Sequence, residues 1–168
     1  AERLFTDQPS GTVLDLPGTY SLSPKSLDEE VSRDILFHRL ADVPAPALVV
    51  VVVDASNLER NLYYATQVIE LGYPTILALN MTDVAEQNGH RVDATALAKQ
   101  LGVAVVPLIA SQGTGVAELS QQIASTIRST QHATRNTLLF AEPSPAFRTE
   151  LNTLAAALEK TFPKQRAF

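Results

Sequence analysis

The sequence predicts an α/β fold: a mostly parallel sheet flanked by helices. Three observations predict it. Short β-branched or apolar runs alternate with helical patterns, an order that favours parallel strands joined by crossover helices. The run 48–53 is apolar throughout and does not alternate, as expected of a strand covered on both faces. The helical stretches carry readable caps and apolar stripes at helical spacing.

In chain order, a weak extended piece is expected at 3–6 and strands at 12–14, 47–53, 75–79 and 103–109. Ser26 and Glu29 form a capping-box pattern ahead of a helix running to about Leu40. Asp28, Glu29 and Glu30 fall in its first turn, where the helix dipole favours acidic residues. Ser56 and Glu59 repeat the capping pattern, and Leu58, Leu62, Ala65 and Ile69 give one stripe before Gly72 stops the helix. Asp93 is placed to cap a helix whose inner face is Ala94, Leu97, Ala98 and Leu101, with Gly102 after it. Val116, Leu119, Ile123 and Ile127 make the next stripe. Residues 129–142 turn polar and read as a linker. Ser144 and Pro145 then suit the cap and first position of a further helix. Its stripe is Phe147, Leu151, Leu154, Leu158 and Phe162, and it is expected to end near Pro163. The expected organisation is a sheet domain over 1–128, a linker over 129–143, and the start of a helical domain over 144–168.

Composition narrows the function. With 168 residues, 45% hydrophobic and 18% charged, the chain can bury a core and is not chiefly disordered. Thirteen basic against 18 acidic residues leave a net charge of −5, which disfavours a grip on nucleic-acid phosphates. The absence of cysteine excludes disulfides, thiolate metal sites and thiol nucleophiles. The longest apolar run, 47–53, is far short of the roughly 20 residues that span a bilayer. The opening Ala1-Glu2-Arg3 is no signal peptide, and the missing initial Met suits an excerpt from a longer protein. His38, His90 and His132 are scattered through different elements and read as surface or loop residues. Tyr63 and Tyr64 read as packing residues.

In open α/β sheets ligands bind beyond the carboxyl ends of the strands. Four polar clusters fall there, after the four expected strands, one of them Asp54-Ala55-Ser56-Asn57. Asp15-Leu16-Pro17-Gly18 is a DxxG pattern. An aspartate in that place can hold Mg²⁺ through water, and a glycine amide can approach a terminal phosphate unobstructed. The same residue types also make an ordinary turn. Asn80-Met81-Thr82-Asp83 is an NxxD pattern. Guanine offers two donors on one edge and a carboxylate accepts both, so Asp83 would select guanine over adenine. Asn80 would either tie neighbouring loops or meet the purine's acceptor edge. Thr82 or Asp83 would equally serve as a helix cap. Ala110-Ser111-Gln112 would offer a backbone amide to a base carbonyl, or form a plain loop. The order decides: NxxD begins 62 residues after Gly18, and the small-residue loop begins 27 after Asp83. That is the guanine-nucleotide order of motifs.

Three stretches resemble one family. Asp54-Ala55-Ser56-Asn57-Leu58-Glu59-Arg60-Asn61-Leu62-Tyr63, Leu14-Asp15-Leu16-Pro17-Gly18-Thr19-Tyr20-Ser21-Leu22 and Ala78-Leu79-Asn80-Met81-Thr82-Asp83 are similar to the cytosolic GTPase domain of ferrous iron transport protein B (FeoB). The resemblance covers about residues 1 to 128, and Pro163-Lys164-Gln165-Arg166 is similar to the helical domain that follows. It implies a P-loop-NTPase-like fold of the small GTPase type, with GTP or GDP and Mg²⁺ as cofactors of the parent. Asp15, Leu16, Pro17 and Gly18 would belong to the phosphate-sensing switch, with Asp15 on the metal, and 19–28 to its mobile continuation. Asn80, Met81, Thr82 and Asp83 would read the base, and Ala110, Ser111 and Gln112 would close over it. The implied partner is the membrane channel of the parent, at the cytoplasmic face of a bacterial inner membrane.

The sequence also departs from that family. It holds no GxxxxGK[ST] loop: its early glycines, Gly11 and Gly18, are each followed by Thr. The first switch threonine and the first strand are missing with the loop, and Ala110 stands where many relatives carry Ser. The expectation is a fragment of the regulatory domain, impaired in nucleotide binding and hydrolysis and prone to self-associate at the sheet edge left open. The alternative is a nucleotide-free protein-interaction module of the same fold. A GTPase of the translation type would fit DxxG and NxxD but not residues 54–63.

Overall fold

The computed structural model describes residues 12–40, 42–130, 139–140 and 142–161. The extended piece expected at 3–6, His132, most of the linker and the helix end at Phe162 and Pro163 lie outside them. The chain divides into two compact units, residues 1–138 and 139–168.

The first unit runs α1 (Leu27–Leu36), β1 (Val49–Asp54), α2 (Leu58–Glu70), β2 (Thr75–Asn80), α3 (Thr82–Gln87), α4 (Ala94–Leu101), β3 (Ala104–Pro107) and α5 (Val116–Thr130), with 3₁₀ turns at Ala55–Asn57 and Ala110–Gln112. The three strands are parallel, in the order β1-β2-β3. Asp54 lies opposite Asn80 and Leu79 opposite Pro107, so the carboxyl ends of all three strands finish level. This is the α/β architecture of the sequence reading.

β2 is the centre of the core, and alternation sends its side chains to two faces. Leu77 and Leu79 pack with Val51 and Val53 of β1, Ala65, Val68 and Ile69 of α2, and Leu36 of α1. Ile76 and Ala78 pack on the other face with Val106, Leu108 and the α5 residues Leu119 and Ile123. Burial of Tyr64 on α2 pushes its phenol above its ordinary pKa.

Several elements differ from expectation for physical reasons. Residues 12–14 form no strand, and Val13 and Leu14 are exposed. A strand needs a partner, and among the described residues nothing hydrogen-bonds to the outer edge of β1. β1 is covered unevenly: Val51 and Val53 are buried on one face, whereas on the other Val50 is half-buried against the second cluster and Val52 is 64% exposed. β1 is the sheet's edge, and α5 packs over β2 and β3 without covering Val52. α1 stops at Leu36, four residues before the expected end, because His38 turns the chain with φ 54°. Ser26 does cap it, accepting from the Glu29 amide at 3.3 Å, but the Glu29 carboxylate bonds the Lys25 amide instead of returning to Ser26. Ser56 does not cap α2. Asp54 Oδ1 accepts from both the Ser56 amide (2.8 Å) and the Ser56 hydroxyl (2.7 Å), which winds 55–57 into a 3₁₀ turn first. Asp93 caps α4 as expected, accepting from Thr95 and Ala96 amides. Tyr63 is exposed and packs less than expected.

In the second unit α6 (Pro145–Thr161) begins where the Ser144 hydroxyl accepts from the Phe147 amide. Phe147, Leu151, Leu154 and Leu158 line one face of it and are exposed. No helix among the described residues is long and apolar enough to cross a membrane.

Candidate nucleotide-binding site

β2 delivers Asn80 to the level end of the sheet, and Met81 then takes a left-handed conformation, φ 61° and ψ 34°. Few residues other than glycine adopt it. The turn starts α3 at Thr82. Neither Thr82 nor Asp83 caps that helix: Met81 holds the cap position with no side-chain bond. The Thr82 hydroxyl donates instead to the Leu108 carbonyl at 3.4 Å. Asn80 Oδ1 accepts from the Ala110 amide at 3.0 Å. Of its two sequence readings, the structure shows the tie between loops.

These two bonds join the turn after β2 to the loop after β3. The loop is closed on its other side by an antiparallel bridge between Ile109 and Thr114, with the Ile109 amide donating to the Thr114 carbonyl at 3.0 Å. Gly115 makes the closure possible. Its φ is +81°, and a Cβ there would stand 2.3 Å from the Pro107 carbonyl oxygen and 2.8 Å from Leu108 Cβ. Sequence reasoning passed over Gly115. The Gly-Thr-Gly spacing just after a strand was its available signal.

Two groups in this corner, without partners among the described residues, are placed to meet a ligand. Asp83 is half-buried, and its carboxylate makes no hydrogen bond or ion pair with any described residue. Ser111, at the start of the 3₁₀ turn and exposed, has its amide free of described partners, as the first amides of a helical turn are. A bidentate acceptor and a free donor on neighbouring loops suit the donor edge and carbonyl of guanine.

The Asp15–Gly18 turn is arranged differently. Asp15, Pro17 and Gly18 are exposed, and Leu16 is partly so. Asp15 makes no hydrogen bond or ion pair among the described residues, and no hydrogen bond joins this turn to Asn80, Asp83 or the 110–112 loop. The turn is held through the Pro17 carbonyl, which accepts from the Ser32 hydroxyl at 3.0 Å. Beyond it, the Leu22 amide donates to Gln67 Oε1 at 2.9 Å, and the Arg60 guanidinium sits 3.8 Å from the centre of the Tyr20 ring. A Cβ on Gly18 would meet nothing within 4 Å. Among the described residues no group of three or more His, Asp or Glu is arranged to hold a metal. Residues 1–168 contain no Gly-Lys pair, the mark of a lysine-bearing phosphate loop.

Comparison with known proteins identifies the family. The family model described as ferrous iron transport protein B matches residues 1–123. The Fe(2+) transporter FeoB of Salmonella typhimurium is 42% identical over 159 residues, covering 92% of this chain and 19% of that protein. The chain thus spans about a fifth of that relative's length. The FeoB G-domain of Methanococcus jannaschii superposes with a TM-score of 0.62 at 44% identity, over 68% of this chain and 70% of that one. An S. thermophilus NFeoB mutant solved with GDP superposes with a TM-score of 0.68 at 36% identity, over 89% of this chain and 54% of that one. The fold is that of the FeoB G-domains, the P-loop GTPase fold, and the chain belongs to the ferrous iron transport protein B family.

Proposed function

We propose that this chain is the guanine-reading portion of the regulatory domain of a ferrous iron transporter. Asp83 accepts from the guanine donor edge, Asn80 holds the two base loops together, and the Ser111 amide meets the base carbonyl. Met81 and Thr82 shape the turn, and Ala110 and Gln112 flank the base. Asp15 and Gly18, with Leu16 and Pro17 between them, sense the terminal phosphate, and Asp15 faces Mg²⁺ where the parent domain completes the site. The parent works at the cytoplasmic face of the bacterial inner membrane, where the nucleotide state is passed to its channel. The observation that carries this reading is the Asn80–Ala110 bond beside an unpartnered Asp83. The related NFeoB solved with GDP supports it.

Without a phosphate loop, residues 1–168 are expected to bind GTP no tighter than about millimolar, about −4 kcal/mol, and to hydrolyse it negligibly. NMR shift titrations of this chain with GTP, ATP and xanthosine triphosphate test the reading. Wild type should prefer GTP to ATP, and Asp83→Asn should move the preference towards the xanthine base, whose C2 carbonyl needs a donor. Equal shifts with GTP and ATP overturn the assignment and leave the nucleotide-free interaction module. The valine-rich edge of β1, unpaired among the described residues and with Val52 64% exposed, supports self-association of the chain as well. Sedimentation that finds only monomer at every concentration rejects that part.

A further inference from the structure

We propose that Ser32 and Gln67 are positioning residues that clamp the segment 17–22 from two helices, so that release of either end frees Gly18. Ser32 lies on α1 with 0% exposure. A buried helical hydroxyl ordinarily bonds back to a carbonyl in its own preceding turn. This one reaches 15 residues away, to the Pro17 carbonyl. Gln67 lies on α2 and takes the Leu22 amide 45 residues away, while the Leu22 side chain packs against the main core. Between the anchors the Thr19 hydroxyl donates to the Ser21 carbonyl at 2.8 Å and lies 3.5 Å from Glu29 Oε1 on α1, and the Ser21 amide donates back to that hydroxyl at 3.3 Å. The Tyr20 ring leans on Arg60 at the helix surface. The segment is therefore tied to the two helices by backbone bonds at its ends and by side-chain contacts alone between them, with free space around Gly18.

The two anchors come from different helices, yet both act on one stretch of six residues. Loss of the Pro17 anchor lengthens the free segment, which lowers the probability that Leu22 stays on Gln67. The functional consequence rests on the reading of Gly18 as a phosphate contact, whereas the clamp itself does not.

Amide exchange measured by NMR on the 168-residue chain, without nucleotide, tests it. Ser32→Ala and Gln67→Leu should each speed exchange of the Leu22 amide by about three- to tenfold, the worth of one hydrogen bond. The double variant should add little to either. Gln67→Glu, which keeps an acceptor oxygen, should restore protection. Amides of β2 should be unaffected, since alanine suits a helix at least as well as serine. Unchanged Leu22 exchange in Ser32→Ala overturns the clamp, and so does equal acceleration throughout β2, which marks Ser32 as an ordinary core residue. Repeating the wild-type measurement with GDP and Mg²⁺ separates the two readings. No response to nucleotide removes the nucleotide reading and leaves the clamp standing.

Discussion

Two turns marked by short motifs, Asn80–Asp83 after β2 and Asp15–Gly18 ahead of α1, are held in opposite ways. The corner made by Asn80–Asp83 and 109–115 is cross-tied: Asn80 to Ala110, Thr82 to Leu108, Ile109 to Thr114, with Gly115 pressed against the Pro107 carbonyl. Among the described residues the Asp15–Gly18 turn is tied by one hydroxyl, and nothing described would crowd a Cβ on its glycine. On the proposed reading, the difference shows where recognition and switching would divide. A base-reading corner must present the same acceptors in every nucleotide state, so rigidity there serves selectivity. A ligand shifts a segment only through differential affinity for two arrangements, and only a loosely held segment has two within reach.

The largest expected effect breaks the rigid side. Gly115→Ala puts a methyl group 2.3 Å from a backbone oxygen and imposes φ +81° on a residue with a Cβ. Overpacking and left-handed strain together should cost about 3 kcal/mol. Against a typical total of roughly 5–15 kcal/mol, that is a large share of the stability. Urea unfolding checks it. A midpoint within error of wild type would mean that the loop after β3 yields, and the contrast between the two turns would then be lost.

What the sequence disclosed follows the same division. β2 and the Asp93 cap were legible because each is decided by residues within a few positions. The strand expected at 12–14 was not, because pairing depends on a neighbour and not on Val13 and Leu14 themselves. Ser56 was misassigned as a cap because Asp54, two residues earlier, captures both its amide and its hydroxyl. At the candidate site, the motifs named Asn80, Asp83 and Ser111 and left the role of Asn80 open. Choosing between those roles needed the position of Ala110, which only the parallel pairing of β2 with β3 supplies. No residue type announces the left-handed turn at Met81.

The smallest expected effect on stability lies on the loose side, at Gly18. Nothing within 4 Å would meet a Cβ there, and no left-handed φ demands glycine, so Gly18→Ala should leave stability within about 0.5 kcal/mol of wild type. Any change should favour the folded state, because alanine restricts the unfolded chain more than glycine does. Stability therefore gives no reason for glycine at this place. The remaining reason is approach: a bare amide lets a phosphate oxygen come within hydrogen-bond distance, and a methyl group beside it does not. Gly18→Ala should accordingly keep the wild-type response to GDP while reducing whatever additional response GTP produces, when both are followed at the amides of 17–22. A variant that loses stability as Gly115→Ala does would show that this turn is packed after all. A variant that keeps both its stability and its full GTP response would remove Gly18 from the phosphate site.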